Sequence, residues 1–316
     1  MFATSWFLAA LAVALAWPVP VLLSRAAWPA RAPFAALILW QAIALAGGLS
    51  MIGAMLCFGL EPLGENLLAG LEHLIGIALG LESMDTLGIW HAFALSAAAL
   101  LLAHLVFTLL LTFYRIQTQR RRHRDLLHLL SSPSTDRPDT LVINHDVPVA
   151  YCLPGGSRSV TVLSDGLMNL LSPDELRAVL IHEEAHLAQR HHLLLWAFAA
   201  WRSALPWLPT SKLAQRSVSS LIEMLADDVA LREVSRATLV TAIALVASGS
   251  AQLPATELVA TGGAKIDTPE TTSARLGRLL TPRPPLGRGL QALVLGASAL
   301  LLAAPTALLI VPGVFS

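Results

Sequence analysis

Two histidines and a glutamate stand at the spacing that binds a catalytic metal. The run His182-Glu183-Glu184-Ala185-His186 has the pattern H-E-x-x-H. Residues four apart lie on one face of a helix, so both imidazoles can meet one Zn²⁺ at roughly 2.0–2.1 Å each. The Glu183 carboxylate, beside the metal, can take a proton from water that attacks a peptide carbonyl and pass it to the leaving amine. The pattern predicts zinc-dependent peptide hydrolysis. The alternative is a charged helix face that carries two histidines incidentally.

A third metal ligand has to come from elsewhere in the chain. The acidic candidates after the motif are Glu223, Asp227, Asp228, Glu233, Glu257, Asp267 and Glu270. Glu223 and Asp227 are four apart and share a helix face, whereas Asp228 points roughly 100° away. We predict that Glu223 binds zinc and that Asp227 holds a ligand histidine by its free ring N–H. A solvated acidic face is the alternative for this pair.

Helix signals surround these residues. Ser172, Pro173 and Glu175 form a capping box with proline at the first helical position. We therefore expect a helix from 172 to near Leu205, where Pro206 ends it. Two further helices are expected at 211–234 and 272–280.

A β-hairpin precedes the capped helix. The apolar run 148–153 and the β-branched run 159–163 are separated by Pro-Gly-Gly-Ser at 154–157, which is typical of a turn. Residues 131–139, which are rich in serine, proline and aspartate, are expected to form a loop.

Five residues near the motif have two interpretations each. Val160, Thr161 and Val162 are either an edge strand that pairs with an extended substrate or an ordinary structural strand. His191 and His192 could donate to an oxyanion. We favour surface histidines near the helix end.

The composition indicates a membrane protein. The 316 residues are 55% hydrophobic and 13% charged, with a mean hydropathy of +0.65, which excludes a disordered chain and argues against a single soluble domain. Two cysteines, one of them in an apolar run, exclude a disulfide scaffold. The stretches long and apolar enough to span a bilayer are 6–23, 32–60, 86–114 and 289–316.

Basic residues predict the orientation of these stretches. Of the 21 Lys and Arg residues, 19 lie from Arg115 to Arg288, and the other two are Arg25 and Arg31. The loop 61–85 contains five acidic residues and no Lys or Arg. Because cytoplasmic loops are enriched in Lys and Arg, both termini and this loop are expected outside the cell.

The expected domains are spans one to three at 1–114, a cytoplasmic domain at 115–288, and the fourth span at 289–316. The basic cluster at 120–124 is expected to contact anionic lipid rather than nucleic acid. Arg275 and Arg278 are interpreted as membrane anchors.

Two runs carry a family resemblance: LSPDELRAVLIHEEAHLAQRHH at 171–192 and EMLAD at 223–227. They resemble the integral-membrane gluzincins, which include heat-shock and CAAX-type membrane proteases and BlaR/MecR-type antirepressor peptidases. The four-span layout, with the motif between spans three and four, is similar to the BlaR/MecR type. The chain ends after the fourth span and has no Ser-x-x-Lys motif, so we expect no penicillin-binding sensor domain.

The resemblance implies specific roles for five residues. His182, His186 and Glu223 would bind zinc, Glu183 would be the general base, and Asp227 would support a ligand. The predicted fold is mainly α, with four transmembrane helices and a cytoplasmic α+β zinc-peptidase domain inserted between helices three and four. The predicted function is cleavage of a cytoplasmic transcriptional repressor or similar regulator.

Two other functions are considered: membrane-protein quality control or processing, and a non-catalytic signalling scaffold. The expected partners are a protein substrate and the lipid bilayer, with no direct contact to nucleic acid. Self-association into a homo-oligomer is compatible with the sequence.

Overall fold

The fold is mainly helical with one small sheet, as predicted. A computed structural model describes residues 1–83, 85–133, 140–153, 159–250 and 268–314. The α-helices among these residues are α1 (Phe2–Ala16), α2 (Pro18–Arg25), α3 (Pro33–Gly59), α4 (Leu67–Ala78), α5 (Ile89–Leu130), α6 (Asp165–Leu170), α7 (Pro173–Ala188), α8 (His191–Ala204), α9 (Pro209–Ala230), α10 (Arg236–Ser250), α11 (Pro269–Leu280) and α12 (Arg288–Val314). The strands are β1 (Ser131–Pro133), β2 (Thr140–Ile143), β3 (Ala150–Leu153) and β4 (Val160–Ser164).

Four helical segments within the described part of the chain are long and apolar enough to cross a membrane. They are Phe2–Arg25, Pro33–Gly59, Ile89–Leu127 and Arg288–Ile310. They coincide with the four predicted stretches, which are therefore confirmed as candidate spans. The first is divided at Trp17 (φ −132°, ψ −75°), because the residue before a proline, here Pro18, is disfavoured in helical geometry. The side of the membrane that each loop faces stays a prediction.

The chain divides into two compact units. One comprises 1–110, 198–217 and 286–316, and the other comprises 111–197 and 218–285. The sequence assigns 198–217 to the segment between spans three and four, whereas its contacts group it with the apolar helices. The domain limits 1–114, 115–288 and 289–316 stay predictions about placement in the membrane.

The first unit is built around α3. At Gly53 an added Cβ would lie 3.2 Å from side-chain atoms of both Leu8 on α1 and Leu309 on α12, so glycine permits this close packing. Thr210 on α9 donates its hydroxyl to the carbonyl of Leu15 at 2.9 Å. This bond satisfies one of the carbonyl groups that the end of α1 leaves without a helical partner.

The sheet in the second unit has the order β1-β2-β4-β3. The predicted hairpin is confirmed, because β3 and β4 pair antiparallel, while its turn at 154–157 lies outside the described residues. The prediction of a loop at 131–139 is wrong for residues 131–133, which form β1 and pair with β2. The rest of that loop also lies outside the described residues. β2, which was not predicted, runs parallel to β4.

β4 is therefore an internal strand. Thr161 pairs with Thr140 of β2 on one side and with Cys152 of β3 on the other, and Val162 is likewise paired on both sides. A strand whose backbone groups are already bonded to two neighbours cannot receive a substrate strand. The interpretation of Val160, Thr161 and Val162 as the substrate-binding edge is wrong.

The capped helix begins as predicted but ends earlier. Ser172 Oγ accepts from the backbone N–H of Glu175 at 3.4 Å, and the Glu175 carboxylate accepts from the N–H of Ser172 at 2.8 Å. Instead of continuing to near Leu205, the helix ends at Ala188, and Arg190 adopts a left-handed conformation (φ 51°). Such a residue ends a helix, and a new one, α8, begins at once.

Three other helices lie wholly or partly in the second unit. The helix expected at 211–234 is α9, which starts two residues earlier and ends at Ala230. The helix expected at 272–280 is α11, which begins at Pro269 after the N-cap Thr268. α10 was not predicted.

Two apolar clusters hold α7 in place. Ala178 on α7 packs with Leu239 and Ile243 of α10 and with Leu279 of α11. Leu180 packs with leucines of β4 and α6. Burial of each leucine contributes about 1.5–3 kcal/mol, so the helix that carries the histidines has a fixed position against the sheet and two other helices.

Candidate metal centre

α7 brings the two histidines of the motif together. His182 Nε2 and His186 Nε2 lie 3.2 Å apart, and the imidazole planes are inclined by 76°. This follows from the spacing, since residues i and i+4 stand one above the other on a helix. His182 is buried and His186 is partly buried.

Glu223 on α9 completes a triangle of donor atoms. Its Oε2 lies 3.1 Å from His182 Nε2 and 3.5 Å from His186 Nε2, and the residue is only 4% exposed. Tetrahedral ligands with bonds of about 2.0–2.1 Å lie about 3.3 Å from one another. The three sides of the triangle match this separation. The donor set therefore fits an ion of the size and coordination of zinc, as the sequence predicted for these three residues.

Asp227 contacts the other nitrogen of His182. One turn after Glu223 on α9, its Oδ1 lies 3.0 Å from His182 Nδ1. A neutral imidazole that binds a metal through Nε2 carries its proton on Nδ1, so it donates to this carboxylate and is fixed in tautomer and orientation. Asp227 thus occupies the supporting position assigned to it from the sequence.

Arg275 on α11 belongs to the same site, a role that was not predicted from the sequence. Its Nε and Nη2 donate to the two oxygens of Asp227 at 3.0 and 2.7 Å, and its Nη1 lies 3.5 Å from Glu223 Oε2. Arg275 is 7% exposed, so its interpretation as a membrane anchor is wrong. The sequence contains one signal for this role: the apolar Leu279 stands four residues later on the same helix face, and an arginine on a face that becomes buried needs an acidic partner.

A second arginine–aspartate pair lies beside the first, between Arg278, three residues after Arg275 on α11, and Asp228, the residue after Asp227 on α9. Arg278 Nη2 donates to both oxygens of Asp228, at 2.7 and 2.9 Å, and Arg278 Nη1 donates to the carbonyl of Met224 at 3.2 Å. The interpretation of Arg278 as a membrane anchor is also wrong. The two bidentate pairs join α11 to α9.

The electrostatics of the site favour a cation between its carboxylates. Burial and the neighbouring guanidinium lower the pKa of His182. Hydrogen bonds to Asp227 and Glu223 outweigh both effects, so the pKa rises to about 9. Burial alone would raise the pKa of Asp227, but hydrogen bonds from His182 and Arg275 bring that pKa below its ordinary value. In the absence of metal, a proton on His182 supplies part of the positive charge that the carboxylates attract.

Glu183 follows His182 on α7 and is partly buried. Burial raises the pKa of its carboxyl group above the ordinary value of 4.5, although the imidazoles of His182 and His186 oppose the rise. A carboxylate with a raised pKa is a stronger base, which is the property that a proton acceptor for water needs.

The metal-free protein is expected to lose stability as the pH rises from about 6.5 to about 9. The pKa of His182 is raised from 6.5 to about 9 in the folded protein, so its protonation stabilises the fold fully below pH 6.5 and stops doing so as the pH passes 9. Thermal unfolding of the metal-free chain across this range measures the effect. The variant His182→Gln should flatten the dependence, and an equally steep curve in that variant would contradict the assignment.

His191 lies against the second ligand histidine. Its Nδ1 is 2.9 Å from His186 Nδ1, and its Nε2 is 2.9 Å from Gln189 Oε1. With only 2% of its surface exposed, it is not the surface histidine that was expected. Both ring nitrogens have protein partners, so the geometry does not support an oxyanion donor either.

Comparison with known proteins agrees with this site. Residues 116–293 match peptidase family M48, and this match covers more than half of the chain and every residue of the centre. A search of curated proteins found no match. The chain therefore belongs to peptidase family M48 and is a metalloprotease.

Proposed function

We propose that this protein is a zinc endopeptidase of the cell membrane whose catalytic unit faces the cytoplasm. The observation that carries the proposal is the triangle of His182, His186 and Glu223 donor atoms, with Glu183 next to the first of them. Two imidazoles and one carboxylate form a donor set typical of catalytic zinc, which keeps a fourth position open. Catalysis is favoured over a scaffold role because the chain contains all five residues with an expected part in the reaction: His182, Glu183, His186, Glu223 and Asp227.

The residues of the chain have distinct roles in this reaction. A bound zinc ion supplies Lewis-acid chemistry, which polarises a peptide carbonyl and makes water more acidic. Glu183 takes a proton from the attacking water and returns it to the nitrogen of the leaving amine. Asp227 orients His182, and Arg275 balances the charge of the buried carboxylates. In this hydrolysis the carbonyl carbon of the peptide forms a bond to the oxygen of the attacking water, and its bond to the amide nitrogen breaks.

We assign substrate binding to β3 rather than β4. β3 pairs with β4 on one side, and no other described strand pairs with it on the opposite side. β3 packs against α7, the helix that carries Glu183. Burial raises the pKa of the Cys152 thiol to about 12, and the charges of Glu183 and Glu184 add to the rise. An edge strand beside the catalytic glutamate can bind an extended peptide through backbone hydrogen bonds.

The proposed biological role is regulated cleavage of a cytoplasmic repressor or similar regulator. The four apolar helical segments, with the site between the third and fourth, support this role because the same layout occurs in the BlaR/MecR-type peptidases that the chain resembles. The basic residues at 25, 31 and 115–124 support a cytoplasmic position of the site and external termini.

A census of new protein N-termini in cells tests this role. Cells with the wild-type chain are compared with cells that carry Glu183→Gln. A Glu183-dependent cut in a cytoplasmic DNA-binding repressor is the expected result. Cuts distributed over many membrane proteins would instead establish a quality-control protease and reject the regulatory role.

Removal of the metal is expected to abolish peptide cleavage by the purified chain. A chelator should lower the rate by about 1,000-fold or more, because Lewis-acid stabilisation contributes several kcal/mol to the barrier. Added Zn²⁺ should restore the rate, and the metal content of the purified protein should be close to one ion per chain. Full activity in the chelated, metal-free protein would contradict the proposal.

A further inference from the structure

We propose that His191 is a positioning residue that fixes the ligand His186 by accepting its Nδ1–H, and that the corner formed by residues 189–191 exists to place it there. This inference rests on the proposed zinc peptidase function. His191 would support the ligand His186 in the way that Asp227 supports the ligand His182.

The break between α7 and α8 makes the contact possible. In an uninterrupted helix residue 191 would lie five positions after His186, or about 140° around the axis, and its ring would point away. The left-handed conformation of Arg190 turns the chain instead. The imidazole of His191 then packs against that of His186, with ring centres 5.0 Å apart and planes inclined by 75°. Arg190 is neither glycine nor asparagine, the residues that adopt this left-handed conformation most readily.

The proton positions follow from metal binding alone. If His186 binds zinc through Nε2, its remaining proton is on Nδ1. It then donates to His191 Nδ1 at 2.9 Å, which has to be unprotonated. The proton of a neutral His191 is consequently on Nε2, where it donates to Gln189 Oε1 at 2.9 Å. Zinc binding through His186 Nε2 thus assigns the tautomers of both His186 and His191, and each hydrogen bond then has one proton.

The two ligand histidines are supported in different ways. His182 donates to a carboxylate, whereas His186 donates to a neutral ring. A neutral acceptor fixes the orientation of the ligand without adding negative charge to the site. The loss of His191 should therefore weaken zinc binding through misorientation, with little effect on the charge of the centre.

The test uses the full chain in detergent and measures zinc affinity by competition with a chromophoric chelator. His191→Phe keeps a ring of similar size without nitrogen, and His191→Leu is a second variant in case phenylalanine prevents folding. His191→Asn returns an acceptor near the position of Nδ1. The matched control is His192→Leu, which removes the neighbouring histidine.

We expect His191→Phe and His191→Leu to bind zinc about 10-fold more weakly, at the lower end of the range for such supporting residues. His191→Asn should recover most of the affinity, and His192→Leu should match the wild type. The rise in melting temperature on adding zinc should shrink in the same order. A purely structural role would lower the melting temperature of the metal-free protein and leave zinc affinity unchanged.

Two results would overturn the inference: wild-type zinc affinity in both variants that lack an acceptor, or an affinity in His191→Asn as low as theirs. Absence of zinc binding in the wild-type chain is a separate result. It would reject the proposed function itself, and the metal content of the wild type distinguishes the two failures.

Discussion

Replacing Glu183 with glutamine is expected to lower kcat/KM for peptide cleavage by about 100- to 10,000-fold, the range for loss of a general acid–base group. Glutamine has nearly the same shape but cannot take a proton from water. Glu183 provides none of the three donor atoms of the metal triangle, so zinc binding should be retained. Steady-state kinetics on a peptide, together with zinc analysis of the same preparation, measure both quantities.

The neighbouring glutamate provides a matched control. Glu184 lies on the same helix but is exposed, and Glu184→Gln makes the same chemical change. It should leave kcat/KM within a small factor of the wild type. Equal losses in the two variants would mean that helix charge rather than proton transfer matters. Loss of zinc in Glu183→Gln would show that this carboxylate helps to bind the metal.

Replacing Arg275 with methionine is expected to lower the free energy of unfolding by about 3–5 kcal/mol, the range for breaking a buried ion pair by removing one partner. The carboxylates of Asp227 and Glu223 would remain buried, with exposed fractions of 1% and 4%, without the guanidinium that neutralises them. Chemical denaturation of the full chain in detergent measures the loss. Zinc should partly offset it, because the ion supplies positive charge at the same carboxylates.

Arg278→Met separates this effect from the general loss of an arginine. Arg278 also forms a bidentate pair on α11, but the side chains of Arg278 and Asp228 are 22% and 35% exposed. A pair accessible to water contributes about 0–1 kcal/mol, so this variant should be only slightly less stable than the wild type. If both variants lose the same stability, burial of the Arg275 pair is not what makes it important.

The parts of the site set by local geometry could be predicted from the sequence. The contact of His182 with His186, and the common face of Glu223 and Asp227, follow from residues four apart on a helix. The start of α7 was equally predictable, because the capping box is a local pattern. The candidate spans follow from hydropathy, which depends only on consecutive residues.

The parts that the sequence did not reveal depend on contacts between distant segments. Residues 189–191 contain neither glycine nor proline, so no local pattern predicts that the helix is interrupted at Arg190. Arg275 is 48 positions from its partner Asp227, and an arginine before an apolar stretch is equally typical of a membrane anchor. The internal position of β4 depends on β2, whose parallel pairing no local pattern specifies.

The order of the site residues along the chain has a consequence during synthesis. Both histidines of α7 leave the ribosome well before Arg275 of α11, which follows roughly 90 residues later. At about 5–20 residues per second, translation takes several seconds to cover that interval. For about the second half of this interval, the acidic residues of α9 have been made but lack the arginine that balances their charge in the finished fold. The ion pairs that join Arg275 to the carboxylates of α9 therefore form only after α11 has been made, so the buried charges of the centre are balanced late in synthesis.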